Sequence, residues 1–191
     1  MESENHPLKP FLPENARLLM LGSFPPSRKR WSMEFYYPNW MNDMWRVMGL
    51  CFFGDSRHFC VSSEKRYDKE MLESFLCETG IALSDTACQV TRLKGTASDA
   101  DLRIDKPMDI AGFLRRLPKC EVVATTGGKA AEELAAMFHV EVPVVGGCVK
   151  FDFEGRSIRF WRMPSTSRAY PLPLQKKTES YSLLFQDAGL L

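Results

Sequence analysis

The chain has no Cys-x-x-Cys pair, although six of its 191 residues are cysteine, and it has only three histidines, His6, His58 and His139. Zinc modules and iron–sulfur sites need Cys and His clustered at short, fixed spacings, so neither is expected, and no metal or cofactor is implied. The cysteines at 51, 60, 77, 88, 120 and 148 read as free thiols of a reducing compartment. No apolar run reaches membrane-spanning length. The segment MESENHPLKP at the start is polar and lacks the apolar stretch of a secretory signal, so a cytoplasmic location is expected. Charge of one sign is also lacking. Lys and Arg number 25 against 24 Asp and Glu, a net charge of +1, and no global field announces a polyanionic partner.

Several catalytic signatures are missing too. There is no Gly-x-Gly-x-x-Gly for a dinucleotide, no Gly-x-Ser-x-Gly elbow for a hydrolase serine, and no His-x-Glu with Pro-Cys-x-x-Cys for a zinc deaminase. The stretch GGKA at 127–130 resembles the end of a phosphate loop. It fails as one, because the first Gly of that motif would fall at Val123, and Ala130 stands where a Ser or Thr must hold magnesium. Gly127-Gly128 therefore reads first as a tight strand-to-helix turn, and second as a wall of a pocket.

What is present is ordinary globular composition, 45% hydrophobic and 26% charged, in a length that suits one domain over residues 1–191. Residues 1–16 read as an extended lead-in with three prolines. Strands are expected at Arg17–Gly22, Ile81–Leu83, Glu121–Thr126, Val142–Val145, Lys150–Phe153 and Ser157–Trp161, with a turn at 154–156. Helices are expected from Asn39 to about Cys51, over Lys65–Thr79 closed by Gly80, over Met108–Arg116, over Lys129–Phe138 and over Leu174–Ala188. Residues 91–107 read as polar loop. The alternation of strands and helices predicts a three-layer α/β/α fold with a central, mostly parallel sheet of four strands, covered on both faces.

Two loop regions stand out. LLMLGSFPPS (18–27), followed by EFYYPNWMNDMW (34–45), and RMPSTSRAY (162–170) each place small, polar or proline residues where a buried strand should end. In open α/β sheets, ligands bind beyond the carboxyl ends of strands, so these loops describe a pocket. Basic residues also gather after strand ends: Arg28, Lys29 and Arg30, then Arg92 and Lys94, then Arg162 and Arg168. They read either as solvated surface or as a patch suited to a phosphate backbone.

Taken in order, GSFPP (22–26), YYPNWMNDMW (36–45), GIALSD (80–85), TTGGKAA (125–131) and MPSTSRA (163–169) resemble the motifs of the uracil-DNA glycosylase superfamily, nearest to its hypoxanthine-DNA-glycosylase-like branch. The resemblance spans nearly the whole chain. Pro26 replaces the second Gly of the first loop, Met41 an Arg before the Asn, Ser84 a Trp-like position, Thr126 an Asn, and Arg168 a closing Pro. Met163 stands where the better-known uracil enzymes have His.

The resemblance implies a monofunctional DNA glycosylase that hydrolyses the N-glycosidic bond of flipped-out uracil or hypoxanthine. Its partner would be DNA carrying a damaged base, and it would act as a monomer at the nucleoid without cofactor. Asn42 would hold the attacking water, with Asp43 as its local rival; a bond from Asn42 to a neighbouring loop is the other reading. The base pocket would comprise Gly22, Ser23, Phe24, Pro25, Tyr36, Tyr37, Ser84, Asp85, Thr126 and Gly127. Phe24 and at least one of the tyrosines read equally well as core, and Asp85 reads also as an N-cap or turn residue. Arg28, Lys29, Lys129, Pro164, Ser165, Thr166, Ser167 and Arg168 would contact DNA, and Tyr170 or Leu172 would fill the gap left by the base. Two other functions fit the same residues: a DNA-binding relative without catalysis, and a hydrolase of free nucleosides.

Overall fold

The computed structural model describes residues 3–93 and 101–191. In chain order its elements are β1 (Ser3–Asn5), β2 (Leu18–Gly22), α1 (Met44–Phe53), α2 (Lys69–Thr79), β3 (Ile81–Asp85), β4 (Ala87–Arg92), β5 (Leu102–Pro107), α3 (Ile110–Arg116), β6 (Val122–Thr126), α4 (Gly128–Phe138), β7 (Cys148–Phe153), β8 (Arg156–Met163) and α5 (Leu174–Asp187). A 3-10 turn covers Arg28–Arg30.

The main sheet has the order β3-β2-β6-β8-β7. Its first four strands are parallel, and β7 pairs antiparallel with β8. The central sheet is thus five-stranded and mixed, where four strands were expected. The fifth strand is a consequence of Glu154 and Gly155, at φ 51° and 80°. Two successive positive φ values make a tight hairpin turn whose twist suits antiparallel neighbours.

β2, β3 and β6 are fully buried, and their alternating side chains serve two cores. Leu18, Met20, Ile81, Leu83, Val122 and Ala124 face the helices α1, α2 and α5, where they meet Trp45, Met48, Leu76, Tyr181 and Phe185. Leu19, Leu21, Ala82 and Val123 face α3 and α4, where they meet Phe113, Leu114, Leu134 and Ala135. The period of two splits each strand between the layers, as a sheet covered on both sides requires.

Five sequence-based expectations are corrected. Residues 91–107 are not simply loop: β4 and β5 form an antiparallel sheet with β1, and Leu102 and Ile104 pack on Phe24, Ala87 and Val90. The polar residues between them occupy the wet face of a half-buried strand. Lys94, and the part of this stretch over 94–100, lie outside the described residues. Val142–Val145 is not a strand. Pro143 has no N–H to pair, Gly146 turns the chain, and Val144 is 78% exposed.

Helix α1 starts at Met44, not Asn39. Asn39 Oδ1 accepts from Met41 N–H and Asn42 Oδ1 from Met44 N–H, both at 2.9 Å, and these local bonds hold the chain in turns before the helix. Helix α2 starts at Lys69 because the Asp68 carboxylate accepts from Met71 N–H at 3.0 Å and caps it.

The lead-in is also more ordered than an extended tail. β1 pairs with β4, His6 N–H donates to Cys88 O, and Phe11 exchanges two backbone hydrogen bonds with Leu83. The segment so covers the outer edge of β3, which would otherwise present unpaired peptide groups.

Candidate functional site

The parallel strands β2, β3, β6 and β8 end together, at Gly22, Asp85, Thr126 and Met163. Beyond those ends lies a cavity of about 160 Å³. Its floor and walls come from Gly22, Ser23, Phe24, Pro25, Tyr36, Tyr37, Asp85 and Thr126, with Asn42, Ser165, Thr166 and Ser167 toward the mouth. Pro26, Arg30, Pro38 and Asn39 complete it. A second opening adjoins it, lined by Arg30, Asn39, Met41, Asn42, Ser167, Arg168 and Ala169. Asn42, Arg30, Asn39 and Ser167 belong to both and mark the passage between them.

The floor depends on one close approach. A Cβ on Gly22 would overlap Asp85 Oδ1, so only glycine at the end of β2 lets the neighbouring carboxylate lie across it. Asp85 is 6% exposed. Its Oδ2 lies 2.8 Å from His6 Nε2. Among the described residues, no hydrogen bond occupies Oδ1.

The aromatic wall is held by its own polar ends. Tyr36 OH donates to Lys9 O at 3.1 Å, and Trp45 Nε1 donates to the Tyr36 carbonyl at 3.2 Å. Tyr37 adopts a left-handed backbone, φ 48°, and its hydroxyl meets Thr126 Oγ1 at 3.2 Å. A bulky residue held in that region is a strained feature of the kind found at ligand sites. Burial pushes both phenols well above their ordinary value, with Asp85 adding to it, so both stay neutral O–H groups. Core and pocket are not alternatives for these rings. Tyr36 belongs to the core with Phe35 and Trp45, Phe24 packs on Ala87 and Val90, and both line the cavity.

Asn42 sits just before α1 and is half-buried. Its carbonyl accepts from Arg46 Nη1 and Tyr67 OH at 3.0 and 3.1 Å, and its Oδ1 accepts from Met44 N–H. Among the described residues no other bond is made by its side-chain amide, and Asn42 lines both openings. Asp43 is turned away from the cavity. Its Oδ2 accepts from Lys177 Nζ at 2.9 Å, and the two side chains are 7% and 1% exposed. Lys177 also donates to Ser167 O at 3.0 Å, and Asp43 N–H donates to Thr166 O at 2.9 Å. This buried pair ties α1, α5 and the 164–168 loop into one unit, and Asp43 lines neither opening.

Several expected site residues lie elsewhere. Ser84 is buried and does not line the cavity itself, but its hydroxyl bonds the Tyr36 phenol that does. Gly127, at φ 92°, makes the strand-to-helix turn and donates to Met163 O. Pro164 is buried behind the loop, where its carbonyl accepts from Tyr181 OH at 3.0 Å. Lys129 lies beside Glu133 at 3.9 Å. Arg28 is exposed, ion-paired with Glu34 and stacked 4.2 Å from the Trp31 ring centroid; Lys29 is exposed beside it. Arg30 and Arg168 are the cations at the mouth itself. Tyr170 and Leu172 are half-buried and line neither opening.

Sequence reasoning missed His6 and Lys177. Lys177 carried a signal: with Tyr181 and Leu184 it falls on one face of α5 at helical spacing, so a cation on the apolar stripe had to have a buried partner. His6 carried none, because the contact that matters is 79 residues away. Among the described residues, no group of three or more His, Cys, Asp and Glu is arranged to hold a metal ion, and no helix is long and apolar enough to cross a membrane.

Fold and cavity together define an α/β protein with an open-mouthed polar and aromatic pocket at the carboxyl ends of its parallel strands. No protein-family model and no curated protein matches the chain. A solved structure does. The solution NMR structure of a protein from Methanosarcina acetivorans, named a "putative Uracil DNA glycosylase", matches 95% of this chain and 98% of its own at 22% identity, with a TM-score of 0.62. At that identity the likeness establishes the shared fold.

Proposed function

We propose that this protein is a monofunctional DNA glycosylase that hydrolyses the N-glycosidic bond of a flipped-out deaminated base, uracil or hypoxanthine. The observation that carries the reading is the cavity itself. Asp85 lines it between aromatic walls, its Oδ1 set across Gly22, with Asn42 toward the mouth. The name of the Methanosarcina acetivorans structure, and the motif order in this chain, point the same way.

Asp85 supplies the selection. A carboxylate only accepts hydrogen bonds. Deamination turns the ring nitrogen on the pairing edge from acceptor to N–H donor, in cytosine to uracil and in adenine to hypoxanthine alike. Cytosine or adenine would set a lone pair against the carboxylate, and an unpaired polar contact of that kind discriminates strongly. Phe24, Tyr36 and Tyr37 give the extruded base an apolar and stacking environment, which offsets the few kcal/mol of unstacking.

The chemistry needs no covalent nucleophile. The C1′–N bond breaks with its electron pair leaving on the base, water adds at C1′, and the proton of that water ends on the released base. Asn42 holds the water in line through its amide, a positioning role, because an amide is too weak a base to take the proton. Ser165, Thr166 and Ser167 offer hydroxyls and N–H groups to the flanking phosphates, and Arg30 and Arg168 add charge at the mouth. Those two cations favour a polyanionic substrate over a free nucleoside.

The test is an excision assay on labelled oligonucleotides containing uracil, hypoxanthine, cytosine or adenine at one position. Abasic product from the deaminated bases and none from their parents is the expected result. Equal cleavage of uracil and cytosine would remove the role given to Asp85.

A further inference from the structure

The lead-in segment delivers a side chain to the back of the cavity. His6 follows β1, and its ring lies beneath Asp85, with Nε2 2.8 Å from Oδ2 and the two side chains 3% and 9% exposed. Phe24 meets the imidazole edge-on at 5.2 Å between centroids, and Tyr36 lies roughly parallel at 6.2 Å. Nδ1 sits 2.9 Å from Leu8 O and 3.2 Å from Leu8 N.

The two Leu8 contacts sort by protonation state. As imidazolium, Nδ1–H donates to the Leu8 carbonyl. As a neutral ring with its proton on Nε2, Nδ1 accepts the Leu8 N–H. Nε2–H donates to Asp85 in both states, so the bond outlasts the titration and only the charge of the pair changes, from zero to minus one.

Resting on the function proposed above, we propose that His6 is a positioning residue that fixes Asp85 across Gly22 and, as imidazolium, cancels the Asp85 charge while the base departs. A departing base gathers negative charge. A bare carboxylate against its ring N–H opposes that charge, and a cation directly behind the carboxylate relieves it. The pocket so keeps an acceptor for selection without a net anion for catalysis.

The remaining groups around the ring leave this balance to the pair. Tyr36, from the loop before α1, stays a neutral phenol, as does Tyr37 behind it. Arg92 of β4 stands behind Phe24, 5.7 Å from its ring centroid, and is paired with Glu4 of β1 at 2.9 Å. Burial alone would disfavour the imidazolium. The hydrogen bond and charge of Asp85, with Leu8 O, outweigh it and hold His6 above its ordinary 6.5. Excision therefore falls as pH rises through the raised His6 value.

Two measurements test this on the full chain. The first follows the His6 imidazole by NMR titration, its signal identified by its loss in His6→Gln. His6 is expected to titrate above 6.5, and Asp85→Asn to bring it down. A His6 titration unmoved by Asp85→Asn overturns the coupling.

The second is single-turnover uracil excision across pH. The wild type is expected to fall, by up to about tenfold per pH unit above the His6 value, until it levels off near the rate of His6→Gln. His6→Gln, which keeps an N–H donor to Asp85 and cannot titrate, is expected to be slower on the acid side and flat with pH. A His6→Gln profile that tracks the wild type overturns the role. A wild type that excises neither deaminated base overturns the proposed function instead, and the coupling is then decided by the NMR titration alone.

Discussion

Replacing Lys177 by Met separates the buried ion pair from the packing around it, because Met keeps most of the volume of the stem and removes the charge. Lys177 is 1% exposed at its side chain and gives two hydrogen bonds, to Asp43 Oδ2 and to Ser167 O. Without it, Asp43 is left as a carboxylate with 7% exposure. Breaking a buried pair from one side costs about 3–5 kcal/mol. Arg168 Nε, 3.6 Å from Asp43 Oδ1 but 58% exposed, recovers at most about 1 kcal/mol of that. The net loss expected is about 2–4 kcal/mol, which for a chain of this size lowers Tm by about 4–16 °C. Urea unfolding measures it directly, as a fall in midpoint at constant slope. The double variant Asp43→Leu with Lys177→Met removes both charges and is expected to regain most of the loss. A Lys177→Met protein within about 1 kcal/mol of wild type would refute the reading of the pair as the tie between α1, α5 and the loop at the mouth.

Other substitutions test the cavity. Asn42→Ala is expected to lower excision by about 10²-fold or more while costing only about 1 kcal/mol of stability from the lost bond to Met44 N–H; full activity would remove Asn42 from the mechanism. Gly22→Ala sets a methyl against Asp85 Oδ1, so it is expected to weaken the preference for uracil over cytosine in the same excision assay, with a crystal structure showing Asp85 displaced. Arg168→Ala is expected to weaken DNA binding uniformly across sequences and to reduce the slope of log affinity against log salt by about one; an unchanged slope would place Arg168 off the phosphate path.

The strands that build the site were legible from sequence because burial on both faces leaves an uninterrupted apolar run. LLML before Gly22 and VVATT before Gly127 could be little else. The loop residues at their ends were legible for the same reason, since a strand that stops at Gly-Ser or Thr-Gly must stop somewhere specific. The start of α1 was not. Apolar spacing from Trp40 onward suggested a helix that local side-chain bonds from Asn39 and Asn42 hold off until Met44. β5 hid behind LRIDKP, whose alternation is real but whose charged half dominates the composition. His6 illustrates the deeper limit: a strand edge pairs with whatever segment reaches it, and no period in the sequence says which residue that segment will set beneath Asp85.

The central claim is excision of a deaminated base, and the most direct measurement is incubation of the pure protein with end-labelled oligonucleotides containing uracil or hypoxanthine, paired and unpaired, followed by alkali. Strand breaks at the deaminated base, abolished or sharply reduced in Asn42→Ala, are the predicted result. Intact strands with both bases in every context, from a folded protein, would contradict the account.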